Sequence, residues 1–250
     1  MKKIIGSKAW YITIVVAILF LLMSYGKNTR VARSKTNAKS PPPFWRDIQN
    51  FKKKDEKSFP PKNAILFIGS SSLQRWKNVQ DDFPGYTIIN RGFGGSRLPD
   101  LIRYAKDIVF PYSPKQVVIY CGENDLASSD TVTARMVFGR FEELFHIIRG
   151  KFPDLPVAYI SMKPSLRRRH LLLKMRESNQ LIKDFLSMQK NAVFIDVYHL
   201  MLNESDQPIP ELFFDDGLHM NAQGYAVWKK IIEPFLLKGW WWARIIALGA

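Results

Sequence analysis

The sequence contains a single cysteine and comparatively few acidic residues. Cys121 cannot form an intramolecular disulfide, so a small disulfide-stabilised scaffold is excluded. With 14 glycines and 15 prolines in 250 residues, the chain is neither collagen-like nor of low complexity. Its 46% hydrophobic and 24% charged residues are typical of one globular domain with additional segments at its ends.

The excess of basic residues is concentrated in the first quarter of the chain. Overall, 37 lysines and arginines face 22 aspartates and glutamates, which gives a net charge of +15. Residues 1–60 hold 13 basic and three acidic residues, whereas residues 61–250 hold 24 and 19. A nucleic-acid binder would carry its basic residues on the folded domain and would bind in a salt-dependent way. We therefore expect no nucleic-acid partner.

An apolar run from Ala9 to Tyr25 follows Lys2, Lys3 and Lys8. Seventeen residues are the lower limit for a membrane-spanning helix, and the residues that precede Lys27 form a poor signal-peptidase site. This pattern favours an N-terminal signal anchor over a cleaved signal peptide in residues 1–25. We expect a membrane-anchored protein with an exported folded domain, periplasmic or extracellular, although basic residues on both sides leave the orientation open.

Three further regions follow the apolar run. Residues 26–43 form a basic segment that ends in Pro41-Pro42-Pro43 and is typical of a linker. Residues 44–238 are predicted to form the folded domain, and residues 239–250 a tryptophan-rich tail. Trp240-Trp241-Trp242 suits a membrane surface, but packing on the domain or a free tail explains it equally well.

Short β-branched runs alternate with amphipathic ones throughout the predicted domain, which indicates a parallel sheet covered by helices. The predicted fold is α/β, with three αβα layers and a five-stranded parallel sheet. The predicted strands are Ala64–Ile68, Tyr86–Asn90, Gln116–Tyr120, Val157–Ser161 and Ala192–Asp196. The predicted helices are Leu98–Val109, Val132–Lys151, Leu166–Gln189 and Ala222–Leu237.

Polar residues follow the predicted strands, at the sheet edge where open parallel sheets form their sites. A serine there can act as a nucleophile if His219 takes its proton and Asp216 orients the imidazole. Glycine-turn amides and an asparagine side chain are suitable donors to an oxyanion. The segments are Gly69-Ser70-Ser71-Ser72, Asn90-Arg91-Gly92-Phe93-Gly94-Gly95-Ser96, Gly122-Glu123-Asn124-Asp125 and Asp215-Asp216-Gly217-Leu218-His219. Each segment alone also fits an ordinary helix cap or turn.

Taken together and in this order, the four segments resemble the SGNH or GDSL-type hydrolases over about residues 42–238. The resemblance implies a flavodoxin-like fold and a serine esterase mechanism without metal or organic cofactor. It implies that Ser71 is the nucleophile and that Asp216 and His219 complete the triad. The oxyanion hole would comprise the backbone of Ser71 and Gly95 and the side chain of Asn124.

One position departs from the family pattern, because Gly69-Ser70-Ser71 replaces the usual Gly-Asp-Ser. Ser70 and Ser72 are alternative nucleophiles if the turn is offset, while the Asp-x-x-His spacing selects Asp216 rather than Asp215.

The expected function is hydrolysis of carboxylic esters through an acyl-enzyme, with O-acetyl groups of glycans or short-chain lipid esters as candidate substrates. The alternative is a catalytically silent, membrane-tethered module that binds carbohydrate or lipid.

Three basic features near the site are assigned no catalytic role. Lys163 lies where a substrate loop is expected. Arg167-Arg168-Arg169 has the character of a solvated charge run, with contact to an anionic substrate, lipid or nucleic acid as the alternative. Arg91 and Arg97 either line the site or pair with Asp82 and Asp100. The oligomeric state is open.

Overall fold

A computed structural model describes residues 40–238. The predictions for residues 1–25 and 239–250, and for all but the last residues of the linker, lie outside this range. Among the described residues, no helix combines the length and hydropathy needed to cross a membrane.

Five strands and eight α-helices alternate along the described chain. The strands are β1 (Ile65–Gly69), β2 (Ile88–Gly92), β3 (Gln116–Tyr120), β4 (Val157–Ile160) and β5 (Ala192–Ile195). The helices are α1 (Trp45–Lys57), α2 (Ser71–Arg75), α3 (Val79–Asp82), α4 (Leu98–Ile108), α5 (Glu123–Leu126), α6 (Ala134–Lys151), α7 (Leu172–Ser187) and α8 (Ala222–Ile232). Short 3₁₀ turns lie between several of them.

The strands form one all-parallel sheet in the order β2-β1-β3-β4-β5. This is the flavodoxin-like order, and it confirms the predicted α/β architecture. The side chains of β1, β3 and β4 are buried on both faces, which explains why these strands are apolar apart from Gln116 at the start of β3.

Alternate strand residues belong to two separate cores, one on each face of the sheet. Leu66 and Ile68 pack in the core formed with α4, α6 and α7. Ile65 and Phe67 pack on the opposite face, against a cluster centred on Trp228 of α8. The two-residue period of a strand therefore divides β1 between two hydrophobic layers, as a three-layer domain requires.

Strand β2 is shifted by two residues from the predicted Tyr86–Asn90, and two predicted helices differ from the observed ones by more than two residues. The helix predicted over Leu166–Gln189 is divided, because Leu166–Leu171 forms a 3₁₀ segment in which Arg168 has non-helical backbone angles. The helix predicted over Ala222–Leu237 ends at Ile232 and continues as a 3₁₀ turn that contains Pro234.

Helix α1 was not predicted, and it explains the environment of Arg91. This arginine neither lines the site nor pairs with Asp82. Its guanidinium forms an ion pair with Asp55 of α1 and donates to the hydroxyl of Tyr112 at 2.7 Å. Arg91 therefore attaches α1 to the domain, whereas Arg97 does pair with Asp100, at 3.7 Å.

Candidate active site

The sheet order brings three of the four polar segments together. Strand β1 lies between β2 and β3, and Gly69 at its end is level with Gly92 and Tyr120 on the neighbouring strands. All three strands are parallel, so the loops that follow them leave the same edge of the sheet. The loop of Ser71 is thus flanked by the loops of Gly95 and Asn124.

Ser71 occupies the first turn after β1. A Cβ at Gly69 would lie 1.9 Å from the carbonyl oxygen of Tyr120, so the chain can pass this close to β3 only with a glycine. The N–H of Ser70 then donates to the same oxygen at 3.0 Å. Ser70 and Ser72 are buried, and the hydroxyl of Ser71 is the one that reaches His219.

His219 links Ser71 to Asp216. Its Nε2 lies 3.2 Å from the Ser71 Oγ, and its Nδ1 lies 2.6 Å from Oδ2 of Asp216. The other carboxylate oxygen of Asp216 accepts the backbone N–H groups of Leu218 and His219, each at 2.9 Å. The carboxylate therefore fixes both the loop and the ring, which lets Nδ1 carry a proton while Nε2 faces the serine.

The same contacts keep Asp216 ionised. Burial opposes the charged form, but the hydrogen bonds from the His219 ring and from two backbone N–H groups outweigh it. They hold the pKa of Asp216 well below its usual range. Asp216 is thus a permanent partner for a histidine that gains positive charge.

The glycine loop after β2 is attached directly to the end of β1. The carbonyl oxygen of Gly69 accepts the N–H of Phe93 at 2.9 Å and the hydroxyl of Ser96 at 3.2 Å. Gly95 is exposed and has a φ of 81°, a conformation that favours glycine. No acceptor in the described part of the chain takes the N–H of Gly95 or that of Ser71, so both are available as donors.

Asn124 lies at the start of α5, and its amide is held from two sides. The Nδ2 group donates to the carbonyl oxygen of Ser96 at 3.0 Å, and Oδ1 accepts from Arg168 at 2.8 Å. The next residue, Asp125, accepts the N–H of Leu98 and a hydrogen bond from Arg140. These contacts tie the loop after β3 to the loop after β2.

Buried charges next to Asn124 were not identified from the sequence. Lys163 is 1% exposed, Glu123 is 4% exposed, and the side chain of Arg168 is 14% exposed. Glu123 accepts from Tyr120 at 2.5 Å, from Lys163 at 3.3 Å and from Arg168 at 2.7 Å. Lys163 also donates to the carbonyl oxygen of Leu218 at 2.8 Å, so it contacts the loop that carries the histidine. The interpretation of Arg168 as a solvated residue was therefore wrong.

The pKa values of this cluster shift in directions that follow from its contacts. Burial alone would raise the pKa of Glu123, but Lys163 and Arg168 outweigh it and lower that pKa. Burial lowers the pKa of Lys163, and Glu123 only partly opposes this effect.

A second Asp-x-x-His pair has almost the same local geometry. His199 Nδ1 lies 2.6 Å from Asp196 Oδ2, and Oδ1 of Asp196 accepts the N–H groups of Tyr198 and His199. The His199 side chain is 71% exposed, however, and no described serine hydroxyl contacts it. A cavity of about 480 Å³ beside this pair contains neither Ser71 nor His219. Spacing along the sequence therefore cannot distinguish the two pairs, but the fold does.

The five predicted site residues thus lie at one edge of the sheet, in the arrangement of a serine-histidine-aspartate hydrolase with several amide donors. Among residues 40–238, no cluster of three or more histidine, cysteine or acidic side chains is placed to bind a metal.

The chain belongs to the GDSL-like Lipase/Acylhydrolase family, a family of carboxylic ester hydrolases. The family's sequence model matches residues 67–227, well over half of the chain and including all five predicted site residues. This confirms the resemblance seen in the four sequence segments and the enzyme class that it implied.

Individual relatives agree with this assignment. An isoamyl acetate-hydrolyzing esterase from Schizosaccharomyces pombe is 25% identical over 157 residues, which are 60% of this chain and 61% of that protein. A GDSL-like lipase from Bacteroides thetaiotaomicron superposes with a TM-score of 0.66 at 20% identity, over 75% of this chain and 96% of that one. A lipase/acylhydrolase from Enterococcus faecalis superposes with a TM-score of 0.56 at 22% identity, over 70% of this chain and 97% of that one. These two structures support the fold.

Proposed function

We propose that the protein hydrolyses carboxylic esters through a covalent acyl-enzyme formed on Ser71. The observation that carries this proposal is the continuous chain of contacts from the Ser71 hydroxyl through His219 to the ionised Asp216. Membership of a family of ester hydrolases supports the same reaction.

In the acylation step, Oγ of Ser71 attacks the ester carbonyl carbon while its proton moves to Nε2 of His219. The carbonyl oxygen becomes an oxyanion, which the N–H groups of Ser71 and Gly95 and the Nδ2 group of Asn124 stabilise. The bond to the alcohol then breaks, and the alcohol leaves with the proton from His219.

In the deacylation step, water gives a proton to Nε2 of His219 and attacks the acyl carbon. A second oxyanion forms at the same donors. It collapses with cleavage of the bond to Oγ of Ser71, which takes back the proton. The acid is released, and the enzyme regains its starting state.

We propose short-acyl esters as the substrate class, with O-acetyl groups of glycans or short-chain lipid esters as the natural forms. The name of the fission-yeast relative, which states that it hydrolyses isoamyl acetate, supports a small acyl group. That match spans about three fifths of the relative's length, so the acyl preference is an expectation to be measured directly.

The test is hydrolysis of p-nitrophenyl esters, from acetyl to long acyl chains, by the full-length protein and two serine variants. We expect Ser71→Ala to abolish turnover above background. Ser70→Ala is the matched control, because Ser70 Oγ is buried without a described hydrogen-bond partner, and it should retain wild-type turnover. Full activity in Ser71→Ala would refute the proposal.

The same assay distinguishes an enzyme from a binding module. A folded wild-type protein that binds glycan or lipid esters without hydrolysing any of them would be a silent binding module. Turnover that falls with acyl length would support a small acyl site, whereas a preference for long chains would contradict the proposed substrate class.

A further inference from the structure

A buried charged cluster lies beside the candidate oxyanion donors, and the proposed reaction does not use it. It consists of Glu123, Lys163 and Arg168. Glu123 and Lys163 are buried and Arg168 is partly buried, and removing charged groups from water is costly unless each is paired. Apolar side chains of similar volume would often be as stable or more stable at such positions. The cluster connects the loop after β3 with the chain after β4, and Lys163 extends it to the histidine loop. Its position next to the site calls for an explanation beyond stability.

Arg168 contacts two neighbouring residues at once. One terminal nitrogen of its guanidinium donates to Oε1 of Glu123 at 2.7 Å, and the other donates to Oδ1 of Asn124 at 2.8 Å. A planar guanidinium can hold two acceptors in a fixed geometry, whereas a lysine ammonium is a single point charge on a flexible stem. Glu123 thereby fixes the plane that Arg168 presents to Asn124.

This contact decides which way the Asn124 amide faces. Arg168 can only donate, so it requires the oxygen of the amide, while the carbonyl of Ser96 can only accept, so it requires the nitrogen. With Oδ1 and one hydrogen of Nδ2 engaged in this way, the second hydrogen of Nδ2 remains for the substrate. The positive charge of the Arg168 guanidinium beside Oδ1 also polarises the amide, which strengthens its N–H groups as donors.

We propose that Arg168 is a positioning residue that orients and polarises Asn124 as an oxyanion donor, with Glu123 holding the guanidinium in place. This inference rests on the proposed function, because it assumes that an oxyanion forms at Ser71. Arg168 acts on the transition state through Asn124, and it makes no contact with the reacting atoms.

The first test compares Arg168→Met, Arg168→Lys and the control Arg169→Met by steady-state kinetics on p-nitrophenyl acetate. Arg169 lies in the same 3₁₀ segment but is exposed. Loss of a whole oxyanion donor costs about 10²- to 10³-fold in kcat in other hydrolases, and we expect at least about 10-fold for Arg168→Met with little change in KM. Arg168→Lys should also lose activity, because a lysine ammonium is a point charge on a flexible stem and lacks the planar pair of donors that a guanidinium presents to Glu123 and Asn124. Arg169→Met should be unchanged.

The second test is a double-mutant cycle with Asn124→Ala. If Arg168 acts through Asn124, adding Arg168→Met to Asn124→Ala should lower kcat by less than about twofold more. Independent, multiplicative losses would overturn the proposal, and so would an unchanged kcat in Arg168→Met. If the Met variant does not fold, Arg168→Lys completes the cycle, because it retains a cation beside Glu123.

The outcome for Ser71 separates this proposal from the proposed function. Full activity in Ser71→Ala would remove the serine mechanism itself. An inactive Ser71→Ala combined with independent effects at Arg168 and Asn124 would refute only the positioning role.

Discussion

Replacing Asp216 by asparagine tests how the site orients its histidine. Two of the three hydrogen bonds at Asp216 come from the backbone N–H groups of Leu218 and His219 to Oδ1, which an asparagine oxygen can accept as well. The third joins Oδ2 to Nδ1 of His219 at 2.6 Å, and there asparagine would present an NH₂ group. The loop should therefore keep its shape, while the imidazole changes its tautomer.

The altered tautomer predicts a large kinetic effect and a small structural one. With Nδ1 as an acceptor, the proton of His219 moves to Nε2, which then cannot take a proton from Ser71. In a comparable serine triad this change lowers kcat by about 10⁴-fold, equivalent to about 5 kcal/mol in the barrier. The Asp216 side chain is 35% exposed, so the loss of folding stability should be at most about 1 kcal/mol.

The chain contains its own matched control for this substitution. Asp196→Asn introduces the same change in the second Asp-x-x-His pair, which has nearly identical contacts but no serine. We expect wild-type kcat for this variant on p-nitrophenyl acetate, and thermal unfolding of both variants close to wild type. If Asp216→Asn retained more than a tenth of the activity, or if Asp196→Asn lost as much, the proposed role of Asp216 would be refuted.

Three further substitutions and one fractionation experiment have clear expected outcomes. Asn124→Ala should lower kcat by about 10²- to 10³-fold and leave KM nearly unchanged; a rise confined to KM would instead indicate a substrate contact. Gly69→Ala should destabilise the domain by several kcal/mol in urea unfolding, roughly 3 or more, because its Cβ would lie 1.9 Å from the carbonyl oxygen of Tyr120. Gly139→Ala, where a Cβ meets no atom within 4 Å, should stabilise it by about 0.5–1 kcal/mol. Full-length protein should stay in the membrane pellet after carbonate extraction, and protease added to whole cells should cleave the domain; a soluble or a protected protein would contradict the anchor or its orientation.

The sequence was sufficient to predict the sheet and the position of the site. Three of the strands are apolar on both faces and end in glycine or in residues that precede polar loops, so their buried, parallel character was visible. The sheet edge that carries the loops follows from the parallel arrangement alone. This is why Ser71, Gly95 and Asn124 could be grouped before any contact was known.

Helix α1 was missed because its sequence has a weak apolar signal. It contains Lys52-Lys53-Lys54-Asp55-Glu56-Lys57, and Ile48 is its fully buried residue. Its attachment depends on Arg91, whose partner Asp55 lies 36 residues away. No local periodicity encodes such a pair, so the position of α1 depends on tertiary contacts that pattern analysis does not detect.

The buried cluster was missed for a related reason, since lysine, arginine and glutamate are almost always exposed unless they are paired. Glu123 and Arg168 lie 45 residues apart, and Lys163 contacts a carbonyl 55 residues further along the chain. The observable hint was chemical: Glu123 directly precedes Asn124 in a loop at the sheet edge, where an unpaired carboxylate would be costly.

Glu123→Gln tests whether this cluster is ionised. Glu123 accepts hydrogen bonds from Tyr120, Lys163 and Arg168, and glutamine would leave the buried Lys163 and the partly buried Arg168 without their anionic partner. We expect a loss of about 3–5 kcal/mol in urea unfolding at neutral pH, against less than about 0.5 for the exposed Glu143→Gln. The pKa of Glu123 is lowered in the folded state, so its stabilisation is present above the pKa of the unfolded carboxyl and disappears as the pH falls through the folded value. The difference in the free energy of unfolding between wild type and Glu123→Gln should therefore become smaller as the pH is lowered. A difference below about 1 kcal/mol at neutral pH would show that Glu123 does not act there as a charged partner.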